Sequence, residues 1–265
     1  MEEIDRALDA IEDRWLELPD PMRRSYLDSF AVEYVFTSGN IENPEITYRD
    51  ACELFSSSKL VSFTGRVQTV FELQNLKDSW SWAVGLSEGP VLLDSDLILE
   101  MHRRLCRGTY DDHRWGTGER PGSFKVGDYG VGVAGEIGCS PGETGFLVSE
   151  MCGELNEYVG DISQTLTIAA WAHAQLVDIH PFADGNGRTS RLLMNVLLMN
   201  GGLPPVTIDP ADRMSYYGAL DAYHEERELD PFREFVKAQL VKTWYSVLIG
   251  IGDAGDRDLK PRQGL

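Results

Sequence analysis

Twelve consecutive residues carry the densest chemistry of this 265-residue chain: His180-Pro181-Phe182-Ala183-Asp184-Gly185-Asn186-Gly187-Arg188-Thr189-Ser190-Arg191. They lie between two apolar stretches, so they read as a helix–loop–helix connection. A helix start leaves its first N–H groups unbonded and carries the positive end of the helix dipole. Gly185 and Gly187 let the backbone come close to an anion. Arg188 and Arg191, three residues apart, share a face and add bidentate donors of fixed charge. Asp184 cannot bind phosphate itself, but it suits a Mg²⁺ that bridges phosphate oxygens. His180 can exchange a proton near neutral pH. A base, a metal ligand and a phosphate cradle are the parts of a phosphoryl- or nucleotidyl-transfer site. Singly, each has a plainer reading: a structural histidine, an ordinary Asp-Gly-Asn-Gly turn, two solvated arginines. Their coincidence at a helix start is what points to phosphate chemistry.

The elements that must position this loop are helical. Leu166 to Ile179 and Thr189 to Asn200 give the strongest helix signals, with Gly201-Gly202 closing the second. Ile4, Leu8, Ile11 and Trp15 follow a helical spacing that Pro19 and Pro21 end. Tyr26 to Phe36 gives a second apolar face, and Thr47 is placed to cap a helix from about Tyr48 to Phe55. Phe63, Val67, Val70 and Phe71 keep helical spacing within 61–83, whose end Trp80 and Trp82 pack down. From Asp94 to Leu105, Leu97, Ile98, Met101 and Leu105 line one face. Between Gly108 and Gly145 glycines crowd in among Phe124, Val126, Tyr129, Val131 and Val133, which predicts a small irregular β-hairpin and a loop around Ser140-Pro141-Gly142. Phe146 to Tyr158, Asp212 to Tyr223 and Pro231 to Leu248 complete a helical array, followed by a polar tail expected to be mobile. The fold class expected is mainly α, interrupted by one hairpin.

Composition narrows the classes. A net charge of -19 repels phosphate backbones and argues against nucleic-acid binding. Any anion site must therefore be built locally. Cys52, Cys106, Cys139 and Cys152 form no C-x-x-C pair and no zinc pattern, and they read as buried, reduced thiols of a cytoplasmic protein. The acidic start Met1-Glu2-Glu3-Ile4-Asp5-Arg6 argues against a signal peptide, and Leu192 to Met199 is too short to span a bilayer, so no membrane partner is expected.

His180 to Arg191 matches H-x-F-x-[DE]-G-N-G-R-x-x-R, the signature of Fic-domain proteins, at every fixed position. The resemblance covers about 41–240, including Leu99-Glu100-Met101-His102-Arg103-Arg104-Leu105, His173, Leu192-Leu193-Met194-Asn195, Gly202-Leu203-Pro204-Pro205-Val206, Tyr216-Tyr217 and Asp230-Pro231-Phe232. It implies a Fic-type helical bundle with a hairpin flap. It also implies AMP transfer from ATP to Ser, Thr or Tyr hydroxyls of an unidentified target protein, with Mg²⁺ as cofactor. In that resemblance His180 is the general base and Asp184 the metal ligand. Gly185, Asn186 and Gly187 form the anion nest, and Arg188 and Arg191 hold the β- and γ-phosphates. Thr189 and Ser190 lie along the same nucleotide-binding stretch. Val131 and Gly132 fall in the flap, which aligns the target by adding it as a strand, and Tyr216 and Tyr217 lie on the adenine side. Their plainer reading, core aromatics on a helix, stays open.

Ser38-Gly39-Asn40-Ile41-Glu42-Asn43 resembles the family's inhibitory motif, [ST]-x-x-x-E-[GN]. The resemblance implies that Glu42 pairs with Arg191 and removes a γ-phosphate ligand, with Ser38 opening the motif. Gly39 lowers helix propensity by roughly 1 kcal/mol relative to Ala, which predicts a leaky brake. His224 stands where relatives have Asn near the nucleotide. The organisation expected is an N-terminal helical region with the inhibitory motif over 1–90, a Fic core over 91–245 and a tail over 246–265. A homodimer is compatible with the sequence but not demanded by it. Three other readings stay open: transfer of another phosphate-containing group, removal of AMP with water oriented by Glu42, and a silent nucleotide sensor. Gly187 leaves room for the AMP-transfer pose, and His180 argues against the sensor.

Overall fold

A computed structural model describes residues 2–57, 63, 65–131, 136–158 and 161–250. Helices dominate: α1 (Glu2–Glu17), α2 (Asp20–Glu42), α3 (Tyr48–Ser57), α4 (Val67–Ser87), α5 (Ser95–Leu105), α6 (Asp112–Gly116), α7 (Pro141–Tyr158), α8 (Thr165–Ile179), α9 (Asn186–Asn200), α10 (Arg213–Glu226) and α11 (Asp230–Trp244). A wider π-type turn, Tyr245–Ile249, continues α11. Two short strands, β1 (Gly130–Val131) and β2 (Glu136–Ile137), pair antiparallel with Gly130 opposite Ile137 and Val131 opposite Glu136.

The centre of the molecule is α9. Leu192, Leu193, Met194, Val196 and Leu198 are all fully buried, as expected of a helix apolar on every side. It packs most extensively on α8 and is also met by α2, α4 and α5. Asn195 ties it down, donating to the Val206 carbonyl at 3.1 Å and accepting from the Val206 N–H at 2.6 Å.

An aromatic layer fastens the N-terminal helices to this centre. Phe30 of α2 stacks on Trp244 of α11 at 5.6 Å, Trp15 of α1 lies 5.2 Å from the same indole, and Tyr34 lies 4.6 Å from Trp80 of α4. Such pairs add about 0.5–1.5 kcal/mol each beyond their buried area. The Trp244 Nε1–H donates to the Pro205 carbonyl at 2.5 Å.

The mainly helical reading of the sequence agrees with the structure, with corrections to several boundaries. Pro21 opens α2 rather than only ending α1, because proline fits the first turn of a helix, where no N–H is needed. Helix α4 starts at Val67, and 58–62 and 64, which fall partly in the expected 61–83 helix, lie outside the described residues. Ser140-Pro141-Gly142 is not a loop but the entry to α7, with Pro141 as its first residue. Gly108 to Tyr129 holds α6 and turns rather than strand, so the hairpin is smaller than the glycine-rich block. Helix α9 starts at Asn186, three residues before Thr189. Leu97 is only half-buried, and His102 takes the buried position on that face of α5. Among the thiols, Cys106 and Cys152 are buried while Cys52 and Cys139 are half-buried, and all are free. Gly132 and the tail after Gly250 lie outside the described residues.

Candidate active site

Helix α8 ends on His180, whose backbone sits in the left-handed region at φ 51° and ψ 61° and whose N–H donates to the Leu176 carbonyl at 3.1 Å. A side-chain-bearing residue rarely takes that conformation, and in an L-residue it costs of order 1–2 kcal/mol. Pro181 then prevents any continuation of α8. The loop closes on itself through Asn186, whose side chain accepts from the Phe182 N–H at 2.9 Å and donates to the Phe182 carbonyl at 2.8 Å. Asn186 is therefore a loop latch, with both its amide oxygen and its amide nitrogen bonded to Phe182. Gly185 precedes α9 at φ 84° with no side chain to cap it, so the first N–H groups of α9 are left for a ligand.

His102 supports the loop from α5. Its ring stacks on Phe182 at 3.7 Å and 5°. Its Nδ1 accepts from the Gly122 N–H at 2.9 Å, which leaves Nε2 to donate to the Asp184 carbonyl at 3.0 Å. Burial holds its pKa down to about 3, so this tautomer is neutral at physiological pH.

The two arginines of the loop differ in their partners. Arg188 is buried, and its Nη2 reaches Asp184 Oδ1 at 3.2 Å, while Nε and Nη1 make no hydrogen bond. Glu72 of α4 stands 4.0 Å from Nη1. Although burial works against its charge, the surrounding carboxylates hold Arg188 protonated. Arg191 is fastened to α2: Nε donates to Ser38 Oγ at 3.0 Å, and Nη2 donates to the Ser38 carbonyl at 3.1 Å and to Glu42 Oε1 at 2.8 Å. Its Nη1 is buried without a partner. Three guanidinium nitrogens beside a helix start are thus desolvated donors without acceptors. Such groups are costly unless an anion completes them.

Glu42 stands at that place. A Cβ built on Gly187 would lie 2.5 Å from Glu42 Oε1 and 3.0 Å from Arg191 Nη1. The carboxylate therefore rests against the first turn of α9, where a helix attracts negative charge. Gly187 is what makes room for it.

Asp184 turns Oδ1 to its neighbours' donors, the Gly185 N–H at 2.7 Å and Arg188, and Arg114 of α6 stands 3.7 Å from Oδ2. No group of three or more His, Cys, Asp or Glu side chains able to hold a metal exists among the described residues.

His180 is largely buried, and its Nδ1 makes no hydrogen bond. Burial first, and then the charge of Lys125, push its pKa down to about 4, so it is a neutral imidazole able to accept a proton. The Lys125 ammonium is buried, has no hydrogen-bond partner and is itself pushed down by burial.

The other expected site residues fall differently. The Thr189 and Ser190 hydroxyls bond back to the carbonyls of Gly185 and Asn186, at 2.8 and 2.9 Å, and are fully buried. Tyr216 is a core residue, 2 % exposed, in a 2.9 Å hydrogen bond with His173 and packed on Phe232, so its plainer reading holds. Its phenol still lies close to Arg191. Tyr217 is half-buried beneath the Arg213 guanidinium. Val131 is in β1. His224 pairs with Asp178 at 2.5 Å. Sequence reasoning missed Glu72, Arg114, Lys125 and the role of His102. Only His102 had a signal, as a polar residue on the apolar face of α5.

Comparison with known proteins agrees with this architecture. Residues 92–198 match the model of the Fic/DOC family. The chain is 41% identical over 139 residues to the protein adenylyltransferase Fic of Culex quinquefasciatus, across 52% of this chain and 26% of that protein. It is 40% identical over 146 residues to the protein adenylyltransferase Fic of Drosophila mojavensis, across 55% and 27%. The chain spans about a quarter of the length of these curated relatives. Its fold is similar to that of a Fic domain containing signaling protein from Bacteroides thetaiotaomicron, with TM-score 0.77 and 22% identity over 89% of this chain and 93% of that one. It is also similar to a Fic-1 fragment from C. elegans, with TM-score 0.72 and 25% identity over 94% and 72%.

Proposed function

We propose that this chain, whose residues 92–198 form a Fic/DOC-family domain, is a protein adenylyltransferase held in check by its own α2. The observation that carries the reading is the set of buried guanidinium nitrogens without partners on Arg188 and Arg191, beside the uncapped start of α9. That arrangement accepts a polyphosphate. The adenylyltransferase activity for which these relatives are named supports ATP as its source.

In this reading the phosphates of ATP lie along the start of α9, with Arg188 and Arg191 as their charge partners. His180 accepts the proton of a Ser, Thr or Tyr hydroxyl on the target. The freed oxygen attacks the α-phosphorus, the bond to the β-phosphate oxygen breaks, and diphosphate leaves with that electron pair. AMP stays on the target as a phosphodiester. A Mg²⁺ fits the donors present, because a single carboxylate, Asp184, with phosphate oxygens and waters suits this ion. When bound, it would offset the charge that develops on the phosphates. The target strand adds to the edge of the β1–β2 hairpin.

Glu42 supplies the brake. Its carboxylate holds Arg191 and rests where a terminal phosphate would lie, so ATP cannot take its productive pose until α2 yields. Ser38 strengthens the hold through two further bonds. The reverse reaction, removal of AMP by a water oriented by Glu42, uses the same groups. The test is the intact mass of the Glu42→Gly variant after incubation with ATP and Mg²⁺, since self-modification needs no identified target. The expected result is a gain of one or more AMP units, with none in Glu42→Gly/His180→Ala. A gain of phosphate alone, or no gain although ATP binds, would overturn AMP transfer.

A further inference from the structure

Both roots of the hairpin are anchored on the carbonyls that flank His180. The Cys139 N–H, just after β2, donates to the Ile179 carbonyl at 3.1 Å, and the Lys125 N–H, ahead of β1, donates to the Pro181 carbonyl at 2.9 Å. Gly138, between β2 and Cys139, lies against the histidine itself. A Cβ at Gly138 would stand 2.5 Å from His180 Cβ, 2.8 Å from the Ile179 carbonyl oxygen and 3.3 Å from that of Asp178. Two of these three neighbours are backbone, which cannot swing aside as a flexible side chain can. Gly138 does not need glycine for a left-handed backbone, since the glycines with positive φ are at 108, 118, 122, 185 and 202. Space alone requires it. His180 is the residue beneath, and it is held at positive φ.

We propose that Gly138 is a positioning residue for His180. Its missing side chain lets the root of the hairpin press on the turn at the end of α8 and hold the imidazole in its left-handed seat. Lys125 holds the same turn from the other side through Pro181. A target strand that pairs with the hairpin then bears on the base through Gly138. The inference rests on His180 acting as the base, as proposed above. It adds a determinant outside the twelve-residue loop.

The test compares Gly138→Ala with Gly142→Ala, both in the Glu42→Gly background. Gly142 is in the first turn of α7, and a Cβ there meets nothing within 4 Å. The expected result for Gly138→Ala is a fall in kcat of about tenfold or more, as a sub-ångström to 1 Å misplacement of a reacting group produces, with the KM for ATP within about twofold. Gly142→Ala leaves both unchanged. The ring signals of His180 in NMR spectra should move in Gly138→Ala, while the amides of Gly187 and Arg191 stay in place. If His180 does not move, or if kcat equals that of Gly142→Ala, the inference fails. It also fails if ATP affinity and the amides of the nest change together with kcat. A parent variant without any transfer would sink the proposed function, and the NMR comparison would still decide the role of Gly138. Should Gly138→Ala fold poorly, the double variant Gly138→Ala/His180→Gly decides. His180→Gly should add more stability in the Gly138→Ala background than in the parent, and an equal gain in both contradicts the contact.

Discussion

At the scale of single residues, His180 and the two arginines each keep at least one buried nitrogen without a hydrogen-bond partner. Fully satisfied side chains would have nothing to offer a substrate. The histidines give a prediction whose sign is fixed. His102 and His173 are held down to about 3, and His180 to about 4, from an ordinary value of 6.5. Between pH 6.5 and those values the unfolded chain takes up protons that the folded chain refuses. Stability is therefore full above pH 6.5 and is lost as pH falls, by at most about 1.4 kcal/mol per histidine per pH unit. The melting temperature should drop between pH 7.5 and 5.5, and a flat profile would contradict the buried neutral histidines. The same shift predicts that transfer by Glu42→Gly keeps its acid limb well below pH 6.5, as read from kcat against pH. The twelve-residue loop was legible because chemistry and spacing coincide within it. Glu72 and Lys125 were not, since a lone carboxylate on α4 and a lone amine before β1 become informative only when folding sets them beside Arg188 and His180.

At the scale of elements, the proposed brake lies in α2. Its Gly39, read from propensity as a weak point, is a packing residue. A Cβ there would come 2.9 Å from Ile46 Cδ1 and 3.4 Å from Leu76 Cδ1, so glycine lets α2 lie close enough for Ser38 and Glu42 to reach Arg191. Propensity counts one residue's backbone freedom, whereas contact with α4 and the turn after α2 is tertiary and is invisible to it. Gly39→Leu is expected to overpack this contact, lowering stability by about 1–3 kcal/mol, and to raise self-labelling towards the level of Glu42→Gly. Unchanged labelling in a folded Gly39→Leu would separate helix placement from the brake. Elsewhere the signals were local and readable. Asp94 caps α5 by accepting from the Leu97 N–H at 2.8 Å, and Asp94→Ala should cost about 1 kcal/mol in denaturant unfolding. The start of α9 was placed late because Asn186-Gly187 reads as a turn, yet the latch from Asn186 to Phe182 lets the helix begin there.

At the scale of the whole molecule, the aromatic layer makes the N-terminal helices part of the core rather than an appendage. Trp244 touches Trp15, Tyr26 and Phe30, so α1, α2 and α11 share one packing unit. Trp244→Ala should cost about 3–5 kcal/mol, and in whatever remains folded it should loosen α2 and with it the hold on Arg191. Limited proteolysis of α1 and α2 reads that loosening. No described helix is long and apolar enough to cross a membrane. The helical character of the chain could be read from its periodicities, because apolar spacing survives whatever the tertiary arrangement. The joining of α2 to α9 could not be read from periodicity, and came only through the resemblance of the Ser38–Asn43 segment. The most direct test of the whole account follows label from ATP, placed on the α- or the γ-phosphate, onto the wild type, Glu42→Gly and His180→Ala. The account predicts α-label on the protein, strong in Glu42→Gly, weak in wild type and absent in His180→Ala, with no γ-label in any. Retained γ-label, or α-label that is indifferent to His180, would contradict it.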